Sequence, residues 1–151
     1  MKRLILRALS SGTVASLATT AALAMLARVE GRRAIQPTNA TSHVLHGDSA
    51  GHVRHPDIPH TMLGYVVHHA SAVFWAAIYQ AWRARRGAQS KSPLGDAMLL
   101  SAVAAFVDYV VVPRRLSPGW EIVLPKSAIA LTYFTMAFAL AATERGANRR
   151  D

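Results

Sequence analysis

The chain contains no cysteine. That excludes disulfides, thiolate metal sites, covalent c-type haem attachment and thiol nucleophiles, while leaving the compartment open. Charge is scarce too, at 17% of residues, against roughly a quarter in soluble globular proteins. Acidic residues are the scarcer sign, 8 against 17 Lys and Arg. Short catalytic signatures are missing as well: no Gly-x-Ser-x-Gly elbow, phosphate loop, dinucleotide fingerprint or His-Glu-x-x-His, and no acidic pair spaced for glycoside hydrolysis. The net charge of +9 comes with no recognition module or base-stacking aromatic pattern, so no nucleic-acid partner is expected.

What the chain has in quantity is apolar length. Over half of its 151 residues are hydrophobic, and its mean hydropathy is positive at +0.19. Its length suits one domain. Four stretches, residues 4–27, 61–82, 94–112 and 122–142, are long enough at about 1.5 Å per residue to cross a hydrocarbon core of about 30 Å. The expectation is an all-α, four-helix transmembrane bundle forming one integral membrane domain.

The first stretch has no acidic residue, and small residues recur at Ala8, Gly12, Ser16, Thr20 and Ala24. Such a face lets another helix approach closely, although Ala, Ser and Thr are also simply abundant there. Lys2, Arg3 and Arg7 ahead of an apolar run also fit a cleaved leader. The run exceeds a usual leader core and the rest of the chain is membranous, so a retained first helix is expected.

Basic residues cluster at the edges of the apolar stretches. Lys2, Arg3, Arg7, Arg83, Arg85, Arg86, Lys91, Arg145, Arg149 and Arg150 fall on one side of four spans, ten against seven (Arg28, Arg32, Arg33, Arg54, Arg114, Arg115 and Lys126) on the other. By the positive-inside rule both termini are cytoplasmic, and the expected location is a bacterial inner membrane.

Between the first two stretches lies a polar connector, residues 28–60, with three prolines, three glycines and five of the seven histidines. It reads as a long His-rich outer loop with short helical turns, longer than ordinary loops and therefore a candidate carrier of function. It holds two His-x-x-His spacings, His43 with His46 and His52 with His55, with Asp48 between them. On one helical turn such imidazoles can share a zinc or copper ion, and solvated or pH-responsive histidines are the other reading. His68 and His69 lie about 12 Å deep in the second span by the helical rise. Adjacent positions point about 100° apart, so one of them faces the bundle, either as a metal or haem ligand or hydrogen-bonded to Asp108, a serine or a carbonyl.

Asp108 falls roughly 7 Å inside the end of the third span. An ionised carboxylate at that depth is costly unless paired, protonated or wet, and is a functional candidate by default. Arg114, Arg115 and Lys126 are its candidate partners. The stretch Pro113-Arg114-Arg115-Leu116-Ser117-Pro118-Gly119-Trp120-Glu121 is the most individual in the chain. It suits a tight turn, with Trp120 at the headgroups and Glu121 neutralising Arg114 or Arg115. Alternatively its arginines hold a lipid phosphate or anionic substrate. With the four-span plan, this stretch loosely resembles small multi-span inner-membrane proteins of bacteria, a resemblance of topology that implies no particular activity.

These readings combine into an inner-membrane protein with a polar outer-face site that binds a metal ion or an anionic lipid. His43, His46, Asp48 and His68 are the metal candidates, and Asp108, Arg114, Arg115 and Glu121 form the polar cluster. Two alternatives stand beside it: a metal- or haem-dependent redox subunit, and an accessory subunit packing on a larger membrane partner or on a second copy. No catalytic residue is assigned.

Overall fold

The computed structural model describes residues 2–86 and 92–147. Lys91, Arg149 and Arg150, counted above among the basic residues, lie outside the described residues. Among the described residues all regular structure is helical. The long helices are α1 (Lys2–Val29), α4 (Leu63–Arg86), α5 (Pro93–Phe106) and α6 (Lys126–Ala147). Before α4 comes a wide turn, Ile58–Met62, and after α5 another, Val107–Val111. With these extensions four helices are long and apolar enough to cross a membrane, which points to a membrane protein.

Local chemistry explains the boundaries. Ser92 caps α5, its hydroxyl accepting from the Gly95 N–H at 3.1 Å, and Pro93 takes the first helical position, where a missing N–H costs nothing. The fourth helix starts at Lys126 and not at Ile122 as expected. The ring of Pro125 disfavours helical backbone at Leu124, so residues 120–122 form a separate 3-10 turn instead.

α1 and α6 are central, with α1 against α4 and α6, and α5 against α6. The buried face of α1 is Ala8, Gly12, Ala15, Ser16, Thr19, Leu23 and Ala27. Small residues therefore do mediate close approach, and they do so within the chain. A Cβ on Gly12 would stand 2.6 Å from the Val73 Cα. Outward surfaces carry Leu6, Leu17, Met25, Phe74, Leu99, Phe106, Leu131 and Phe138, all exposed. Ser11, Ser16, Thr19, Gln80, Ser101, Thr132 and Glu144 are buried. Large apolar side chains outside and small or polar ones inside suit a solvent of lipid chains, where helix packing relies on close approach and hydrogen bonds.

The connector, expected as a long loop with short helical turns, has such turns and folds with them into a cap over one end of the bundle. It contains α2 (Gln36–Thr41), α3 (His43–His46) and a 3-10 turn, Asp48–His52. Buried amides organise it by satisfying backbone groups that would otherwise be stranded. Gln36 accepts the Arg33 N–H at 2.8 Å and donates to the Gly51 carbonyl at 2.9 Å. Asn39, fully buried, donates to the Val53 and His55 carbonyls, both at 3.0 Å, and accepts from the Thr61 hydroxyl at 2.6 Å. α2 lies so close to α4 that a Cβ on Gly64 would collide with the Thr38 carbonyl oxygen.

Candidate functional site

The two ends of the bundle treat charge differently. At the uncapped end Arg83 bridges Asp96 at 2.8 Å and Glu144 at 3.2 Å, and Arg86 holds the other oxygen of Asp96 at 2.7 Å. Gln80 donates to Glu144 at 2.8 Å and reaches Ser11 of α1 at 3.4 Å. Arg83, Asp96 and Glu144 are nearly buried. Helices α4, α5 and α6 are thus clamped by charge-assisted bonds, with α1 attached through Ser11. Gln80 and Glu144 are absent from the candidates that sequence reasoning yields. Their one signal in the sequence is an amide inside an apolar stretch and an acid just beyond the end of another.

At the capped end the candidate residues go to different partners. His43 is 2% exposed, and its Nε2 lies 2.8 Å from the Ser117 carbonyl. A carbonyl only accepts, so Nε2 carries the proton. Its Nδ1 stands 4.0 Å from Asp48. His46 turns elsewhere, with Nε2 donating to the Pro59 carbonyl at 3.2 Å and its ring 4.5 Å from that of His60. His68 points into the bundle, its Nε2 at 2.9 Å from the Thr19 hydroxyl and 3.3 Å from the Ser16 carbonyl. His69 stacks on Tyr65 at 5.9 Å. The expected metal set of His43, His46, Asp48 and His68 is therefore divided among separate hydrogen bonds. Among the described residues no three His, Asp or Glu side chains are grouped to hold a metal ion.

Asp57 organises the start of the second span. Its Oδ1 accepts the N–H groups of His60 at 2.7 Å and Thr61 at 3.3 Å, and its Oδ2 accepts from His60 Nδ1 at 2.7 Å. Desolvation pushes its carboxyl upward, but these bonds outweigh it and hold the group below its ordinary 3.8.

The Pro113–Glu121 hairpin departs from expectation in three ways. Trp120 is not at the headgroups; it is 5% exposed, donating to the Thr41 hydroxyl at 3.1 Å and lying between the rings of His68 at 5.7 Å and Tyr133 at 5.8 Å. With its N–H satisfied inside, the indole gains more from burial than from an interface. Glu121 accepts from the Ser117 hydroxyl at 2.6 Å. Arg114 pairs with Asp48 at 2.7 Å, and Arg115 donates to the Val44 and Leu45 carbonyls at 3.0 and 3.3 Å, the free carbonyls at the end of α3. Gly119 makes the hairpin possible. Its φ of +78° and its contact with the Ala40 carbonyl leave no room for a Cβ.

Asp108 does not pair with an arginine. Its Oδ2 accepts from the Tyr133 hydroxyl at 2.7 Å, and the Trp75 indole is also within reach. It stands between two spaces. One is a small interior chamber of about 70 Å³ shared with Thr19, His68, Ser71 and Thr132, roomy enough for a few water molecules. The other is a groove of about 860 Å³ between α5 and α6. Its rims, Phe106, Val110 and Phe134, are exposed, so it opens sideways. Arg114, Lys126 and the acidic Glu121 stand among its lining residues where the hairpin meets α6.

No protein-family model matches this sequence. No curated protein and no solved structure matches it either. A fold of four apolar helices under a folded cap, with a sideways groove beside a carboxylate that has no cation, is what the residues themselves establish.

Proposed function

We propose that the chain is an integral protein of the bacterial inner membrane, with both termini in the cytoplasm, that holds an anionic lipid in the groove between α5 and α6. The observation that carries the reading is the groove: sideways-opening, apolar over most of its length, with Arg114 and Lys126 against the single acid Glu121 at one end. Arg114 is held by Asp48, whereas the exposed Lys126 side chain makes no hydrogen bond or ion pair among the described residues. An acyl chain fits between Phe106 and Phe134, with its phosphate beside Lys126 and Arg114. The excess of basic residues on the terminal side supports the orientation, which puts the cap outside.

Lipid retention tests the binding half. Chain purified in mild detergent is expected to retain phosphatidylglycerol over phosphatidylcholine, measured by mass spectrometry. Lys126→Ala should weaken that retention about fivefold, one basic group near an anionic surface being worth about 1 kcal/mol. Equal retention of both lipids would remove the reading. The absence of native cysteine allows the orientation to be tested directly. A membrane-impermeant maleimide should label Ser49→Cys in intact cells and leave Ala84→Cys unlabelled, and the reverse pattern would overturn it.

A further inference from the structure

The groove holds a second polar feature, well inside its apolar length. Asp108 lines it with only neutral donors, the Tyr133 hydroxyl at 2.7 Å and the Trp75 indole within reach, for a carboxylate with about four acceptor sites. The cations nearest in sequence are engaged or distant: Arg114 is on Asp48 and Arg115 on two carbonyls. Lys126 is exposed and makes no ion pair with Asp108. Asp96 and Glu144, by contrast, are each met by an arginine. Two further hydroxyls line this groove, that of Ser101, on a residue 3% exposed and without a hydrogen bond, and that of Tyr109, which lies near Glu121. Ser101 and Asp108 are seven residues apart, which keeps them on one helical face.

The walls are aromatic as well as apolar. Tyr109 and Tyr133 meet edge to face at 6.3 Å, and Phe106 and Phe134 stand at the rims. A carboxylate with no ion pair among the described residues, set beside aromatic side chains in a mostly apolar groove, complements a cation that lipid can dissolve. A diacyl chain satisfies neither the carboxylate nor the Ser101 hydroxyl.

We infer that the groove between α5 and α6 is a binding site for lipophilic organic cations, with Asp108 as the charge partner and the Tyr133 hydroxyl fixing its carboxylate. Such a cation enters sideways from the bilayer and occupies the stretch an acyl chain would fill. The two ligands therefore exclude one another. The inference rests on the uncompensated Asp108 and not on the cationic mouth that supports lipid binding.

Tetraphenylphosphonium is a suitable probe, because its charge is permanent. Saturable binding of one probe per detergent-purified chain is expected by equilibrium dialysis. Asp108→Asn should weaken it at least tenfold, and Asp108→Glu should keep most of it. Equal binding by Asp108→Asn and the unaltered chain, or no saturable binding by the unaltered chain, would overturn the proposal. A second measurement needs no variant: dicyclohexylcarbodiimide should modify Asp108 in membranes, and saturating probe should slow that modification several-fold. Modification unaffected by the probe also overturns the proposal. Probe binding that persists while phosphatidylglycerol retention fails would remove the lipid reading alone.

Discussion

Asp96 and Asp108 are both aspartates of the third span, one at its start and one near its end, and they are treated in opposite ways. Asp96 takes two arginines on its two oxygens, inside a clamp whose other acid, Glu144, is held by Arg83 and Gln80. Asp108 takes a neutral phenol and faces two cavities. Buried charge that is fully paired within the chain does structural work, and removing one member strands the others. Buried charge left with a neutral partner is open to something from outside the chain.

The same substitution at both positions gives the sharpest test. Asp96→Asn should cost about 3 kcal/mol of stability, because Arg83 and Arg86 lose their shared carboxylate in a nearly dry site; reversible unfolding in detergent would measure it. Asp108→Asn should cost about 1 kcal/mol or less, since an amide oxygen still accepts from Tyr133. Equal losses would erase the distinction between the ends. Next comes acid sensitivity of the cap. A carboxyl held below 3.8 stabilises the fold above that value and loses its contribution as pH falls through the depressed folded value. The thermal midpoint of the unaltered chain should therefore converge on that of Asp57→Asn below about pH 4 and exceed it above. Smallest is Asp48→Ala, which removes an exposed pair with Arg114 and should change stability by less than about 1 kcal/mol. A larger loss would mean that the hairpin is tied to the cap through that bond.

Much of the frame is legible in the sequence. Length and hydropathy locate four helices within a few residues, because crossing a hydrocarbon core demands an uninterrupted apolar run. Of the small residues that read as a packing face on α1, Ala8, Gly12 and Ser16 are buried, whereas Thr20 and Ala24 are only partly so and the buried face continues through Thr19, Leu23 and Ala27 against α4 and α6. The connector reads as a loop but folds as a cap, because its organising groups, Gln36 and Asn39, are ordinary loop residues by composition. Only their carbonyl partners at Gly51, Val53 and His55 show that they are core. The histidine spacings point to one shared site, yet an i, i+3 pair says nothing of which neighbouring carbonyl each imidazole meets. His43 goes to Ser117 and His46 to Pro59.

What the sequence determined by itself is the solvent and the scale of the protein: an all-helical chain with four spans and basic edges, because those properties follow from composition along short windows. What only the tertiary structure decided is which charges are spent. By proximity in sequence Arg114 or Arg115 could have neutralised Asp108 or Glu121. Instead the folded cap brings Asp48 and the carbonyls of α3 within reach of the arginines, and α6 brings Tyr133 to Asp108. Pairing over such separations depends on where elements dock, and among the described residues it leaves Asp108 without an ion pair.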